Sequence, residues 1–132
     1  MSGCRKTSKA FEVILIYKKD VFLMKAKDFL EKCGLTVAVN GAPENEITCT
    51  YCCDLLSIVM GKAPAGCAWV TVMGNMNSVA VASLAEIGAI ILADGIKPDE
   101  NAVKRAEENG INIYLSSEPV FDTALKIHKA LN

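Results

Sequence analysis

Few side chains in this sequence have the types and spacing for chemistry, and the densest group is Cys49, Cys52 and Cys53. The spacing Cys49-x-x-Cys52 lets one turn bring two thiolates to a single metal ion, and Cys53 adds a third sulfur. A complete site needs a fourth ligand, and the candidates Cys4, Cys33 and Cys67 lack a second paired spacing. Cys52 and Cys53 also precede a short apolar segment. If that segment is a helix, its positive end would lower a thiol pKa and favour redox chemistry. Against both readings, Cys49 falls in an extended run instead of a glycine-rich knuckle, and free cysteine is a common small buried residue. The sulfurs are therefore read as packing material, with no metal and no cofactor. The alternative is a cysteine-based metal, iron–sulfur or redox protein.

Other catalytic patterns are missing. Gly61-Lys62 is followed by Ala63, so the phosphate loop G-x-x-x-x-G-K-[ST] is absent, and no G-x-G-x-x-G follows the first strand. The single histidine, His128, falls near the end of a C-terminal helical pattern, with no nucleophile or orienting carboxylate identifiable beside it. No catalytic residue is assigned. A second polar group consists of Tyr51, Asp54, Gly74, Asn75 and Asn77, all placed where expected strands give way to helices. Such positions in an open α/β sheet form the usual ligand crevice, and helix N-termini there attract anions. The bland reading is that Asp54 and Asn77 only cap their helices.

The elements that would position these residues alternate along the chain. Ala26, Phe29, Leu30 and Cys33 make a one-sided helical stripe that Gly34 stops. Leu35–Val39 and the stretch "ITCTY" read as strands, and Asp54–Met60 as a brief helix. Residues 68–73 form a buried strand. Ser78–Ile87 is a helix apolar on nearly every side, ended by Gly88, and Ala89–Ala93 is a central strand with no alternation. Pro98, Asp99 and Glu100 open another helix with Ala102, Val103 and Ala106 inward, closed by Gly110. "INIYL" is the last strand, and a terminal helix follows, with Ser116 or Ser117 near its cap. The expected fold is α/β, a mostly parallel sheet flanked by helices on both faces. Residues 24–132 would form this domain. Residues 1–23 would be an extension, with "FEVILIY" a possible added edge strand or the whole piece disordered, unless the natural start is Met24.

The chain has 132 residues, 52% of them hydrophobic and 22% charged, with a net charge of −1. That suits one domain with a substantial core. No basic run exceeds two adjacent residues, which argues against nucleic acid as a partner. No apolar stretch reaches the roughly 18 residues of a membrane span, and no leader cleavage site follows "FEVILIY". A cytoplasmic location, away from membranes and with reduced thiols, is expected.

From about Met24 to Leu131 the chain resembles the DRTGG domain, a small α/β module. The likeness lies in "YCCDLLSIVM", in "AWVTVMGNMNSVAVASL", and in "GAIILADGIKPDENAVKRAEENGINI" followed by a serine-led helix. Two departures stand out. Thr48 is retained, but Cys49 and Thr50 replace the two glycines of the name-giving motif, and Asn75 stands where the family's polar loop usually has histidine. The resemblance implies a fold related to the N-terminal part of HPr kinase/phosphorylase. DRTGG modules accompany CBS domains in some pyrophosphatases and precede phosphotransacetylase domains; in neither is the module known to do the chemistry. Stand-alone versions look like regulatory or scaffolding proteins, sometimes encoded near iron hydrogenases, and they tend to self-associate. The expectation is a non-catalytic, homodimeric regulatory module sensing a nucleotide or small anion near Tyr51, Asp54, Gly74, Asn75 and Asn77. The thiol protein, in a hydrogenase setting, and a ligand-free interaction scaffold are the alternatives.

Overall fold

The computed structural model describes residues 24–131, so the expectations for residues 1–23 fall outside the described residues. The elements in chain order are β1 (Met24–Lys25), α1 (Ala26–Cys33), β2 (Thr36–Asn40), β3 (Glu46–Ile47), β4 (Thr50–Cys52), α2 (Leu56–Lys62), β5 (Ala68–Thr71), α3 (Met76–Leu84), β6 (Ala89–Leu92), α4 (Glu100–Asn109), β7 (Asn112–Leu115) and α5 (Val120–Leu131). The main sheet has the order β2-β7-β6-β5-β4, parallel throughout except for β2, which pairs antiparallel with β7 through an irregularity between Val37 and Val39. β1 and β3 form a separate antiparallel pair. The α/β expectation of a mostly parallel, doubly covered sheet is met.

The unbroken apolar runs reflect this double cover. Alternate residues of one strand enter two different cores. Trp69, Ile90, Leu92 and Ile113 join Val59 of α2, Val79 and Ala82 of α3, and Ala102 and Ala106 of α4. Ala68, Val70, Ala89, Ile91 and Tyr114 join Phe29 and Leu30 of α1 and Ile127 and Leu131 of α5. From β4 to β7 the strands follow one another in sequence order, so the crossover helices α2, α3 and α4 all return over one face. The strand order never reverses along this stretch.

Local chemistry sets the helix ends. Gly34, at φ 64°, ends α1: its N–H donates to the Glu31 carbonyl and the Leu35 N–H reaches the Leu30 carbonyl at 3.0 Å. Asp99 caps α4 by accepting from the Ala102 N–H at 2.8 Å. Two boundaries differ from expectation. α3 starts at Met76 and not Ser78, because Asn75 and not Asn77 supplies the cap, accepting from the Ser78 N–H at 3.1 Å. α3 also stops short of Gly88. Its left-handed residue is Glu86, at φ 56°, and the Ile87 N–H closes on the Ala82 carbonyl at 3.0 Å. The expected strand "ITCTY" divides into β3 and β4.

Candidate functional site at the carboxyl rim of the sheet

The parallel strands β4 to β7 all end on the same rim, which brings the loops after Cys52, Thr71, Leu92 and Leu115 together. Asp54 follows β4 but does not cap the next helix. The helix cap is Leu55, which makes no side-chain capping bond. Asp54 instead reaches sideways: its Oδ1 accepts from the Thr71 hydroxyl at 2.6 Å and from the Val72 N–H at 3.1 Å. The Thr71 hydroxyl in turn accepts from the Met73 N–H at 3.3 Å. The expectation that Asp54 and Asn77 cap their helices is thus corrected at both positions. The loop after β4 is held to the end of β5 by a carboxylate, because Thr71 is a buried hydroxyl on an otherwise apolar strand and needs a partner.

Tyr51 is half-buried on β4, against the core that α2, α3 and α4 share with the sheet. Gly74 belongs to a different contact. A Cβ there would lie 2.9 Å from the Lys97 carbonyl and 3.1 Å from Pro98 Cα, and the Gly74 carbonyl accepts from the Asp99 N–H at 2.9 Å. This glycine therefore allows the rim loop to lie against the start of α4. Asn75 and Asn77 are exposed. The five residues do not form one cluster: Tyr51 lies opposite Trp69 in the sheet, Asp54 is bonded to Thr71, Gly74 lies against the start of α4, Asn75 caps α3 and Asn77 is exposed on its first turn. The seam beneath Gly74, walled by Ser78, Val79, Ile90, Ala102 and Ile113, leaves ≈ 0 Å³ for a water-sized molecule, so a ligand here would rest on the surface.

The described cysteines do not make a metal site. Among the described residues no group of three or more histidine, cysteine, aspartate or glutamate side chains could hold a metal ion. Cys67 and Cys33 are buried, and burial pushes the Cys67 thiol up to about 12. Cys52 is exposed as a residue and lies in β4, three residues before Leu55. The helix end therefore does not activate it. Partial enclosure of its thiol, then the Asp54 carboxylate and Cys53, push its pKa up. Cys53 has a structural contact instead: its carbonyl accepts from the Trp69 indole at 2.8 Å. His128 is exposed in the last turn of α5.

Sequence reasoning passed over Thr71 and Trp69, the two side chains that tie β4's exit to β5. A threonine inside "AWVTVM" was the available signal, since a hydroxyl in a doubly covered strand must find an acceptor. No helix among the described residues is long and apolar enough to cross a membrane.

No protein-family model matches the chain, and no curated protein matches it. A solved structure does. The chain is similar to the CBS and DRTGG domains of the regulatory region of Clostridium perfringens pyrophosphatase, complexed with the activator diadenosine tetraphosphate, with a TM-score of 0.65 at 10% identity. The fold is DRTGG-like. The match covers 90% of this chain and 56% of that one, so this chain spans little more than half of the regulatory region it resembles.

Proposed function

We propose that this protein is a non-catalytic regulatory module of the cytoplasm that senses a nucleotide or a small anion and acts through self-association. The observation that carries the reading is the likeness of fold to a pyrophosphatase regulatory region that takes a dinucleotide activator. The rim around Tyr51, Asp54, Gly74, Asn75 and Asn77 is the proposed ligand face. Self-association has its own support. Among the described residues Leu55 and Phe121 are 56% and 71% exposed. Large apolar side chains left in water invite a second copy. The thiol reading has no comparable support: among the described residues the sulfurs form no ligand group, and the Cys52 and Cys67 thiols are shifted away from reactivity.

Melting temperature with AMP, ADP, ATP, GTP and diadenosine tetraphosphate at millimolar concentration tests the reading. A ligand that binds only the folded state at a hundred times its Kd adds about 2.7 kcal/mol and raises the transition. No rise with any of them sinks the sensing role. Light scattering that shows a monomer at working concentration removes self-association.

A further inference from the structure

We infer that the anion-binding part of the proposed site lies one step away from the rim, in the groove between the start of α3 and the outer face of α4, with Arg105 and Lys104 as its cations. This rests on the ligand-sensing reading and sharpens it. None of the five rim residues is a cation. Asp54 brings a negative charge, and the Asn75 side-chain oxygen already holds the Ser78 N–H. A phosphate placed among these five would meet the Asp54 carboxylate with no counter-charge from any of them, which is poor electrostatics for an anion.

The groove offers what the rim lacks. It has a volume of about 240 Å³ and is lined by Met76, Asn101, Lys104, Arg105 and Glu108. Met76 opens α3 directly after the capping Asn75, so the groove is continuous with the rim loop, and the positive end of the α3 dipole points toward it. Arg105 is half-buried, yet neither it nor Lys104 makes an ion pair or side-chain hydrogen bond with any described residue. A half-buried arginine with no protein partner leaves its guanidinium available to an anion, and the planar fork suits phosphate. Glu108 is the one acidic group lining the groove; Asp99 is occupied as the α4 cap. Asn101 adds amide hydrogen bonds. Exposed Met76 supplies a soft apolar surface at the mouth.

The volume falls below the roughly 300–1,000 Å³ of pockets that enclose a drug-sized ligand. It suits a di- or triphosphate group with the attached base lying on Met76 at the mouth. The ligand class is a nucleoside polyphosphate, recognised chiefly through its phosphates.

The experiment is calorimetric titration of the full chain with ATP and separately with inorganic tripolyphosphate, for the wild type, K104Q/R105Q and Glu108→Gln. All three positions lie on the outer face of α4, and circular dichroism confirms that the variants fold. The expected result is that ATP and tripolyphosphate compete, that K104Q/R105Q weakens both at least tenfold, and that Glu108→Gln tightens both. ATP binding unchanged in K104Q/R105Q overturns the groove while leaving the sensing role intact. Tripolyphosphate binding that depends on Arg105 and Lys104, with no nucleotide binding at all, keeps the groove and removes the nucleotide reading. Binding of neither probe removes both.

Discussion

Asn112 and Asp54 lie at opposite ends of the parallel sheet and make their hydrogen bonds in opposite ways. Asn112, fully buried at the start of β7, uses its whole amide: the oxygen accepts from the Ala42 N–H at 2.8 Å, and the nitrogen donates to the carbonyls of Ala42 at 2.8 Å and Gly88 at 3.0 Å. Around it the backbone closes on itself, with the Thr48 N–H on the Gly66 carbonyl and the Gly66 N–H on the Glu86 carbonyl. Asp54, exposed at the other end, binds through one oxygen only and leaves the second without a bond to any described residue. Asn75, Asn77, Asp94 and Gly95 are exposed on that same rim. One end is finished as structure. The other has polar capacity left over, which is where the loops of a parallel sheet commonly work.

The comparison can be broken by substitution. Asn112→Ala should have the largest effect. It strands the Ala42 N–H and takes one of two donors from each of the Ala42 and Gly88 carbonyls, which keep Asn45; it should destabilise the domain by roughly 2–4 kcal/mol, a large part of the ~5–15 kcal/mol typical of a domain. Denaturant titration measures it, and a loss below about 1 kcal/mol would mean that water already serves this end. Asp54→Ala should lose about 2 kcal/mol by orphaning the Thr71 hydroxyl and the Val72 N–H, whereas Asp54→Asn, which keeps an acceptor, should lose far less. Equal losses from both would show that the negative charge, not the hydrogen bonds, is what matters there. Asn75→Ala removes the α3 cap and should lose about 1 kcal/mol without moving the α3 boundary; the chemical shifts of Met76 and Asn77 would reveal any fraying.

A pH prediction sharpens the contrast between buried and exposed sulfur. In the fold the Cys67 thiol is pushed up to about 12 by burial, and so is the Tyr114 hydroxyl. Both groups are neutral when protonated, so the folded state holds its protons more tightly than the unfolded chain does. Their stabilising effect is complete below the ordinary thiol pKa and is lost as pH rises from about 9 to 12. Melting temperature should fall across that window, and Cys67→Ala should flatten the early part of the decline. A thiol reagent at neutral pH should modify the exposed Cys52 well before Cys67.

Much of the fold was readable because its signals are local. The α1 stripe ending at Gly34, the acidic α4 start at Asp99 and the apolar runs 68–71 and 89–92 each depend on residues a few positions apart. The misread features depend on distant partners. Asp54 looked like a helix cap and instead crosses to Thr71, 17 residues on. Asn77 looked like the cap, yet the helix starts two residues earlier and Asn75 takes the role. Glu86 ends α3 in a left-handed conformation that a sequence reader assigns to glycine. Asn112, inside an apolar strand, gave no hint that it would hold the loop at Ala42. For the candidate site, the rim positions were legible as strand ends. The cations of α4 were not, since nothing near Lys104 and Arg105 in the sequence shows that their helix lies beside the start of α3.

By itself the sequence determined the class of fold and where the apolar surfaces lie, because periodicity and helix-stop chemistry act over one or two turns of chain. Only the tertiary structure decided which face each helix covers, that the strand order runs unreversed from β4 to β7, that among the described residues three nearby cysteines share no metal site, and that an unpaired guanidinium borders the rim. Those outcomes come from long-range register and crossover geometry. They arise from groups that meet only once the sheet has formed.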